Sequence, residues 1–307
     1  MDRTSAGHPD RGGSSRLVRR GTPEYPPLLE AIPDPPPELH ARGDTGLLSR
    51  LAVAVVGSRK ASDLGRAMAE QLGARLAERG VVVVSGLAVG IDAAAHRAAL
   101  AVGGPTVAVL GGGLDVAAPT ANRRLAERIG REGCLITEFP PGMPPLAHHF
   151  PRRNRIIAGL ARIVIVVEAT LKSGALTTAR HALAAGREVM AVPGHPLMPN
   201  AVGVNGLLFD GARPVRSPDD VLEELDELPG LAAPVPTPDA GTAVTEGPSR
   251  LRLMSALSAA PAPAERLARE TRLTLVETLA VLTELELLGL ARSHAGNRYS
   301  LPLVKPS

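Results

Sequence analysis

The sequence predicts an α/β protein: a doubly wound, mostly parallel sheet followed by a small C-terminal winged-helix domain. From Leu51 onward, apolar strands alternate with helical segments, which is typical of an open sheet with helices on both faces. Several strands are continuous apolar runs, such as Val81–Val84 and Ile163–Val167, as expected for parallel strands that are covered on both sides. After residue 250 the pattern changes to three short amphipathic helices and a hairpin, which predicts the winged helix.

The chain divides into five predicted parts. In order, they are a disordered N-terminus (1–22), a Pro-rich N-terminal extension (23–50), the sheet domain (51–228), a linker (229–249) and the winged-helix domain (250–304). The first part is rich in Gly, Ser and Arg and lacks the apolar content that a folded segment needs. Pro35-Pro36-Pro37 and other Pro-rich turns predict that the second part lies extended against the sheet domain.

The elements of both domains follow from the apolar periodicity. Strands are predicted at about 51–56, 81–84, 106–110, 134–137, 162–167 and 188–192. Helices are predicted at about 175–185, 218–228, 251–257, 264–270 and 275–288. The stretch from Leu290 to Leu301 predicts the closing hairpin, with its turn at Gly296-Asn297.

Composition limits the possible functions. The 307-residue chain has a net charge of only +3, so nucleic-acid binding would require a local basic patch rather than a global positive field. The single cysteine, Cys134, lies in an apolar run and predicts a buried thiol without an internal disulfide partner. The sequence contains neither an apolar run long enough to span a membrane nor the apolar core of a signal peptide, so a cytoplasmic location is expected.

Glycines and small hydroxyl residues follow most of the predicted strands. These strand ends are Gly57-Ser58-Arg59, Ser85-Gly86, Gly111-Gly112-Gly113, Ser173-Gly174 and Pro193-Gly194. Ligands of doubly wound sheets bind at this carboxyl edge, and glycine allows the backbone to approach them closely. Since N–H groups at helix starts attract phosphate, the sequence predicts a phosphate-binding rim rather than a set of unrelated tight turns.

The strand ends do not fit the common nucleotide fingerprints. The first strand is followed by Gly57-Ser58-Arg59-Lys60 instead of G-x-G-x-x-G, and Ser85 stands where a ribose-binding acid would be expected. No lysine has the context of a P-loop. Arg59 and Lys60 instead favour a phosphate that belongs to a longer chain.

The segment Phe150–Ile157 places Arg152, Arg153 and Arg155 directly after an aromatic residue, in a protein with few aromatic residues. No acidic residue lies between Glu138 and Glu168, so the sequence offers this charge no nearby neutraliser. Arginine forks suit phosphate oxygens and an aromatic face suits an unstacked base. The segment therefore indicates a single-stranded nucleic-acid site; the alternative is a solvated basic loop leading into a helix.

The histidines and carboxylates are the residues that could support catalysis. The histidines lack metal-ligand spacing, and His96, in an Ala-rich helical stretch, is interpreted as a packing or capping residue. Asp92, Asp115, Glu138 and Glu168 fall near the carboxyl edge of the sheet, where they could perform acid–base chemistry. Helix capping and orientation of arginine side chains are the favoured roles. No catalytic residue, metal or cofactor is predicted.

Together, these motifs resemble the DNA-processing protein A family (DprA/Smf) over most of residues 24–304. The stretches that carry the resemblance are Tyr25-Pro26-Pro27-Leu28-Leu29, Val55-Val56-Gly57-Ser58-Arg59, Ser85–Asp92 with His96, Leu110–Asp115, Phe150–Arg155, Glu168-Ala169, Ser173–Ala179 and Val192-Pro193-Gly194. The resemblance implies a Rossmann-like domain that binds single-stranded DNA, forms homodimers and helps to load the recombinase RecA during natural transformation. It implies no catalytic reaction.

Carried over to this sequence, the resemblance gives a set of DNA-binding residues. They are Gly57, Ser58, Arg59, Lys60, Ser85, Gly86, Phe150, Arg152, Arg153, Asn154, Arg155, Lys172, Ser173 and Gly174. Arg59 would contact a phosphate, Phe150 would stack a base, and the three following arginines would line the channel, unless one of them braces the loop internally. Replacing Arg59 and Arg153 together by alanine is then expected to weaken binding while the fold survives.

Departures and alternatives remain open at this stage. Ala118, Ala147 and Val204 stand where relatives often offer a ring, a lysine and a hydroxyl, and the N-terminal extension looks like a remnant of a helical domain. A phosphoribohydrolase of the lysine-decarboxylase-like type is the rival enzyme hypothesis, although its Pro-Gly-Gly-x-Gly-Thr-x-x-Glu signature is not found. The winged helix is equally compatible with binding duplex DNA or a protein.

Overall fold

The computed structural model describes residues 15–116, 120–228, 248–258, 260–287, 290–294 and 298–301. The chain forms two compact units, Met1–Ala232 and Ala233–Ser307, which we describe separately. No helix in these described segments is long and apolar enough to cross a membrane.

The first unit is built on one mixed sheet. Its strands are β1 (Arg16–Arg19), β2 (Glu38–Gly43), β3 (Ala52–Val56), β4 (Val82–Ser85), β5 (Thr106–Val109), β6 (Cys134–Thr137), β7 (Ile163–Val166), β8 (Glu188–Ala191) and β9 (Arg213–Pro214). They are ordered β1-β2-β6-β5-β4-β3-β7-β8-β9. All pairings from β6 to β9 are parallel, while β1 and β2 add antiparallel strands at one edge, so the predicted doubly wound, mostly parallel sheet is confirmed.

Helices cover both faces of this sheet. They are α1 (Pro27–Glu30), α2 (Asp63–Glu78), α3 (Ile91–Ala101), α4 (Arg123–Glu132), α5 (His149–Leu160), α6 (Gly174–Ala184), α7 (Val202–Phe209) and α8 (Pro218–Glu227). Alternate residues of β3 belong to two separate cores: Val53 and Val55 pack with α2 and α3, whereas Ala54 and Val56 pack with α5 and α6. The continuous apolar runs in the sequence arise because each strand is buried from both sides.

The strand order places a topological switch point between β3 and β7. The chain builds β4, β5 and β6 on one side of β3 and then returns to add β7 and β8 on the other. The loops that follow β3 and β7 therefore lead in opposite directions and leave a crevice at the carboxyl edge. Ligands of doubly wound sheets bind in a crevice of this kind.

The N-terminal segment is more ordered than the sequence predicts. The prediction of disorder over 1–22 is wrong for Arg16–Arg19, which pairs with β2; residues 1–14 lie outside the described part of the chain. The extension supports α5, because Leu29 and Ile32 pack where a side chain at Gly159 would otherwise stand. A Cβ at that glycine would lie 2.7 Å from Leu29 Cδ1. The extension is thus part of the support for the site described below.

The second unit has the predicted winged-helix plan. Its elements are α9 (Pro248–Ala256), β10 (Ala262–Pro263), α10 (Ala264–Thr271), α11 (Leu275–Leu287), β11 (Arg292–His294) and β12 (Arg298–Ser300). The last two strands pair antiparallel and β10 joins them in the order β10-β12-β11. The predicted turn at Gly296-Asn297 and residues 229–247 of the predicted linker lie outside the described residues.

Candidate nucleic-acid interface

An open cleft of about 570 Å³ occupies the switch point between β3 and β7. Among the residues that line it are these predicted site residues: Gly57, Ser58, Arg59, Lys60, Phe150, Arg153, Asn154, Ser173 and Gly174. They come from the loop after β3, from α5 and from the start of α6. The fold therefore brings most of the predicted site residues to one place.

The turn after β3 presents two cations to the cleft. Gly57 is required by packing, since a Cβ there would lie 2.6 Å from Ile91 Cγ1. Ser58 tightens the turn, because its Oγ accepts a hydrogen bond from the Lys60 N–H at 3.1 Å. The side chains of Arg59 and Lys60 are left exposed on the rim.

Arg59 and Phe150 form a pair at the centre of this rim. The Arg59 guanidinium carbon lies 4.9 Å from the Phe150 ring centroid, which is a cation–π contact. The ring edge is held by Gly111, where a Cβ would approach Phe150 Cδ1 to 3.0 Å. Phe150 is therefore half-buried and already stacked on a cation, so only part of its surface remains for a base.

The first turn of α6 forms another wall of the cleft. Ser173 caps the helix, with its Oγ accepting from the Ala175 N–H at 3.2 Å. The Asn154 side-chain amide donates to the Gly174 carbonyl at 3.1 Å and ties α5 to this turn. The positive end of the α6 dipole thus faces the cleft and favours an anionic group. Lys172 is exposed next to this turn but is not among the residues that line the cleft.

Arg153 is buried, with only 4% of its surface exposed. Its Nη1 donates to the Gly86 carbonyl at 2.7 Å and also to the Val109 carbonyl, and its Nε donates to Asn154 Oδ1 at 3.2 Å. Gly86 has no room for a side chain, because a Cβ would lie 2.6 Å from the guanidinium carbon of Arg153. Arg153 is thus the internal brace that the sequence left as an alternative.

The Asp92 carboxyl and the Arg153 guanidinium influence each other electrostatically. Burial raises the pKa of the Asp92 carboxyl, while Arg153 and the N–H groups of Ala88 and Gly86 act in the opposite direction. Burial likewise lowers the pKa of Arg153, to about 10, and Asp92 opposes that change. Arg153 connects α5 to the ends of β4 and β5, and Asp92 connects the start of α3 to the loop after β4, so the two side chains hold together the loops around the cleft.

Arg152 and Arg155 form ion pairs with carboxylates that are not their neighbours in the sequence. Glu138 is buried, and its Oε2 lies 2.5 Å from Arg155 Nη2 and 2.8 Å from Arg152 Nη2. Asp34 of the N-terminal extension lies 3.2 Å from Arg155 Nε. The expectation of an unneutralised cluster lining a channel is therefore wrong: Arg155 is buried and paired, and only Arg152 remains largely exposed.

Ser85 also departs from its predicted role. It is fully buried, and its hydroxyl donates to the Val55 carbonyl at 2.7 Å. Ser85 therefore links β4 to β3 and does not face a ligand. His96 is a packing residue as interpreted, with Nδ1 2.7 Å from Thr106 Oγ1. Burial and the positive charge of Arg153 hold the pKa of His96 down to about 3, so it is neutral at physiological pH.

The four carboxylates near the edge of the sheet are engaged in structural contacts. Glu168 accepts from the Ser62 N–H at 3.0 Å and from its hydroxyl, which caps α2. Asp115 accepts from the Gly142 N–H at 2.9 Å. Glu138 holds Arg152 and Arg155, so the favoured interpretation as caps and arginine partners holds for Glu138 and Glu168. Asp92 and Asp115 instead accept hydrogen bonds from the N–H groups of loop residues.

One residue that supports the cleft could not be identified from the sequence. Asn200 donates to the Lys60 carbonyl at 2.9 Å and thereby fixes the cationic turn from a segment 140 residues away. Ala147, which the sequence marks as a departure from the family pattern, lines the cleft. Val204 is buried in the core, so the missing hydroxyl there is no loss to the cleft. Ala118 lies outside the described residues.

Comparison with known families agrees with this architecture. The model of the family DNA recombination-mediator protein A matches residues 16–226, well over half of the chain. The chain belongs to this family. The model of the DprA winged helix domain matches residues 233–297, in agreement with the second unit.

Relatives of this recombination-mediator family support the assignment. Protein Smf from Synechocystis is 37% identical over 311 residues, which cover 90% of this chain and 78% of the relative. The X-ray structure of DNA processing protein A from Streptococcus pneumoniae is 46% identical, with a TM-score of 0.66, over 68% of this chain and 74% of that one. A Helicobacter pylori structure, described for its single-stranded DNA binding mode, is 29% identical with a TM-score of 0.63, over 69% of this chain and 96% of that one.

Proposed function

We propose that the cleft binds single-stranded DNA. The observation that carries this proposal is the Arg59–Phe150 pair beside the N-terminus of α6. A guanidinium and a helix terminus suit successive phosphates, and an adjacent aromatic edge suits an unstacked base. The proposed contacts are Gly57, Ser58, Arg59, Lys60, Phe150, Asn154, Lys172, Ser173 and Gly174, with Arg152 at the periphery.

The relatives point in the same direction. The Helicobacter pylori protein of the same family is described by its single-stranded DNA binding mode. A non-enzymatic mechanism is supported by the carboxylates, since Asp92 and Glu168 are held by backbone N–H groups and neighbouring side chains. Neither stands free as an acid–base group in the cleft.

Helix α11 of the winged-helix domain offers little to a duplex. Helix α11, the second helix of its helix–turn–helix, carries Glu277, Glu284 and Glu286 and no basic residue. Since insertion into a duplex groove is opposed by phosphate repulsion, we propose that this domain binds a protein rather than DNA through α11. The cellular role that we propose for the whole chain is protection of incoming strands and loading of RecA during natural transformation.

A binding comparison tests the proposed ligand. Purified protein should bind an oligodeoxythymidylate far more tightly than a duplex of equal length or a nucleoside monophosphate, as measured by fluorescence anisotropy. If about four phosphates are engaged, the logarithm of affinity should fall with the logarithm of salt concentration with a slope near −3. Equal affinity for duplex and single strand would contradict the proposal, and release of the base from the monophosphate would favour the phosphoribohydrolase.

We also propose that the chain forms a homodimer through the outer face of α7. Val202, Gly206 and Phe209 share this face, and Phe209 is 92% exposed. A side chain at Gly206 would meet nothing within 4 Å, so the face is flat between two apolar side chains. An exposed apolar face of this kind is costly to leave in water and suits a second copy of the same surface.

Replacing Phe209 by aspartate should weaken this dimer. Burying one phenylalanine side chain contributes about 1.5–3 kcal/mol, and the dimer buries one from each protomer, so the dissociation constant should rise by about two to four orders of magnitude. Light scattering after size-exclusion chromatography would measure the change. Leu64→Asp is the matched control, because Leu64 is 84% exposed on α2 and should leave the mass unchanged. A dimer that survives Phe209→Asp would place the interface elsewhere.

A further inference from the structure

A second cavity, of about 220 Å³, lies on the side of the sheet that carries β2. We call it the edge pocket, and its lining residues are Ser15, His40, Arg42, Leu114, Asp115 and Pro141. None of these residues lines the cleft. Strands β6, β5 and β4 stand between β2 and β3, so four spacings of about 4.8 Å place the two strands about 19 Å apart.

Two basic side chains of β2 face the edge pocket. His40 and Arg42 alternate with Leu39 and Ala41, which are buried in the core on the other side of the sheet. His40 lies opposite Thr137, the last residue of β6. The pocket therefore opens at the same carboxyl edge as the cleft.

The Arg42 guanidinium has room but no acidic partner. Gly130 of α4 leaves the space that it needs, because a Cβ there would lie 3.0 Å from Arg42 Nε. Glycine is unfavourable inside a helix, so its presence at this contact is informative. Within the described part of the chain, the side chains of Arg42 and His40 make no hydrogen bond or ion pair. By contrast, Arg128 of the same helix pairs with Glu132 at 2.8 Å.

The acidic side chain among the described lining residues is already engaged. Both carboxylate oxygens of Asp115 lie 2.9 Å from the Gly142 nitrogen, whose N–H they accept. This contact joins the loop after β5 to the loop after β6. Asp115 is thus a structural group, and the guanidinium and imidazole remain free to hold an anion.

Helix α4, between the pocket and the cleft, begins with two more arginines. Asn122 Nδ2 donates to the Leu87 carbonyl at 2.9 Å, so α4 starts beside the loop after β4 and then passes Arg42. Arg123 and Arg124 are exposed in its first turn, which contains no acidic residue. Cations at this end of a helix oppose its dipole, and a nearby anion would relieve that repulsion.

We propose that the edge pocket binds a backbone phosphate of the same DNA strand that occupies the cleft, several nucleotides further along. This inference rests on the proposed function. Arg42 would hold the phosphate, His40 would donate an N–H to it, and Arg123 and Arg124 would line the route between the two sites. A stacked strand carries one phosphate per about 3.4 Å, so about six nucleotides span the distance. Because phosphates carry no sequence information, this contact should be independent of base.

The test compares oligodeoxythymidylates of two lengths by fluorescence anisotropy. A strand of about five nucleotides has about four phosphates and fills only the cleft, whereas a strand of about twenty also reaches the edge pocket. Arg42→Gln keeps most of the stem beside Gly130 and removes the charge. This variant should bind the long strand about tenfold more weakly, with a salt slope shallower by about 0.7, and should bind the short strand like the unmodified protein.

Arg16→Gln is the matched control. Arg16 is exposed on the neighbouring strand β1, where it pairs with Ala41 and so faces the opposite side of the sheet. This variant loses the same charge and should keep both affinities, and both variants should match the unmodified protein in thermal unfolding. If Arg42→Gln is less stable, His40→Ala takes its place and should weaken binding of the long strand alone, by about threefold.

Three results would overturn the inference. Equal effects of Arg42→Gln and Arg16→Gln would indicate a general effect of charge, and equal losses for both strand lengths would indicate a distorted cleft. An unchanged affinity of Arg42→Gln for the long strand would assign the edge pocket to another anion. If the unmodified protein binds neither strand, the proposed function itself fails, which is a separate result.

Discussion

Replacing Arg153 by alanine should lower the free energy of unfolding by about 3–5 kcal/mol, as expected when a buried cation is removed that donates to two backbone carbonyls and offsets the charge of a buried carboxylate. The change leaves the Asp92 carboxylate buried without its cation and deprives the Gly86 and Val109 carbonyls of their donor. Denaturant unfolding followed by far-ultraviolet circular dichroism would measure the effect, since the chain contains no tryptophan.

Arg152→Ala is the matched control on the same helix. Its side chain is largely exposed, and Glu138 keeps Arg155 as a partner, so the cost should stay below about 1 kcal/mol. If Arg153→Ala does not fold, the double variant Asp92→Asn with Arg153→Met removes both charges and should regain part of the stability. Equal stability of the two single variants would contradict the bracing role of Arg153.

Replacing Arg59 by alanine should weaken single-strand binding by about tenfold to a hundredfold, as expected for the loss of charge-assisted hydrogen bonds to phosphate. The fold should survive, because Arg59 is exposed and its contact with Phe150 lies on the rim. The slope of affinity against salt should become shallower by about 0.7 for one lost phosphate contact. Anisotropy titrations at several salt concentrations would measure both quantities.

Arg131→Ala provides the comparison for this variant. Arg131 is exposed near the end of α4, at the opposite edge of the sheet, and should change neither affinity nor slope. Arg59→Lys keeps the charge but loses the planar contact with the ring, so its affinity should fall between those of the other two proteins. An unchanged salt slope in Arg59→Ala would place this residue outside the phosphate contacts.

These two predictions assign different roles to Arg59 and Arg153, which the sequence analysis places in the same binding site. From the sequence, replacing both Arg59 and Arg153 by alanine is expected to weaken binding while the fold survives. The structure keeps that expectation for Arg59, which is exposed on the rim, and revises it for Arg153, which is a structural brace. Binding measurements on the double variant would therefore mix loss of a contact with loss of stability.

The local sequence pattern was sufficient to predict the central strands and their glycine-rich ends. The apolar runs of β4 and β7 are long, uninterrupted and buried on both sides, so their burial can be read from a few consecutive residues. The strand β1 was missed because its order comes from backbone pairing with β2, about twenty residues later, and only Val18 is buried in it. The composition of residues 16–19 does not show that they pair with β2.

The sequence by itself determined the fold class and the family resemblance, and it predicted the carboxyl-edge location of the candidate site. Tertiary structure alone decided what each arginine of α5 does. A helix turns by about 100° per residue, so neighbouring arginines point to different surroundings. Arg153 donates to carbonyls at the strand ends, Arg155 pairs with Glu138 and Asp34, and Arg152 reaches Glu138 from the exposed side of the helix. These partners lie far away in the chain, and burial and pairing are properties of the folded neighbourhood rather than of the local sequence.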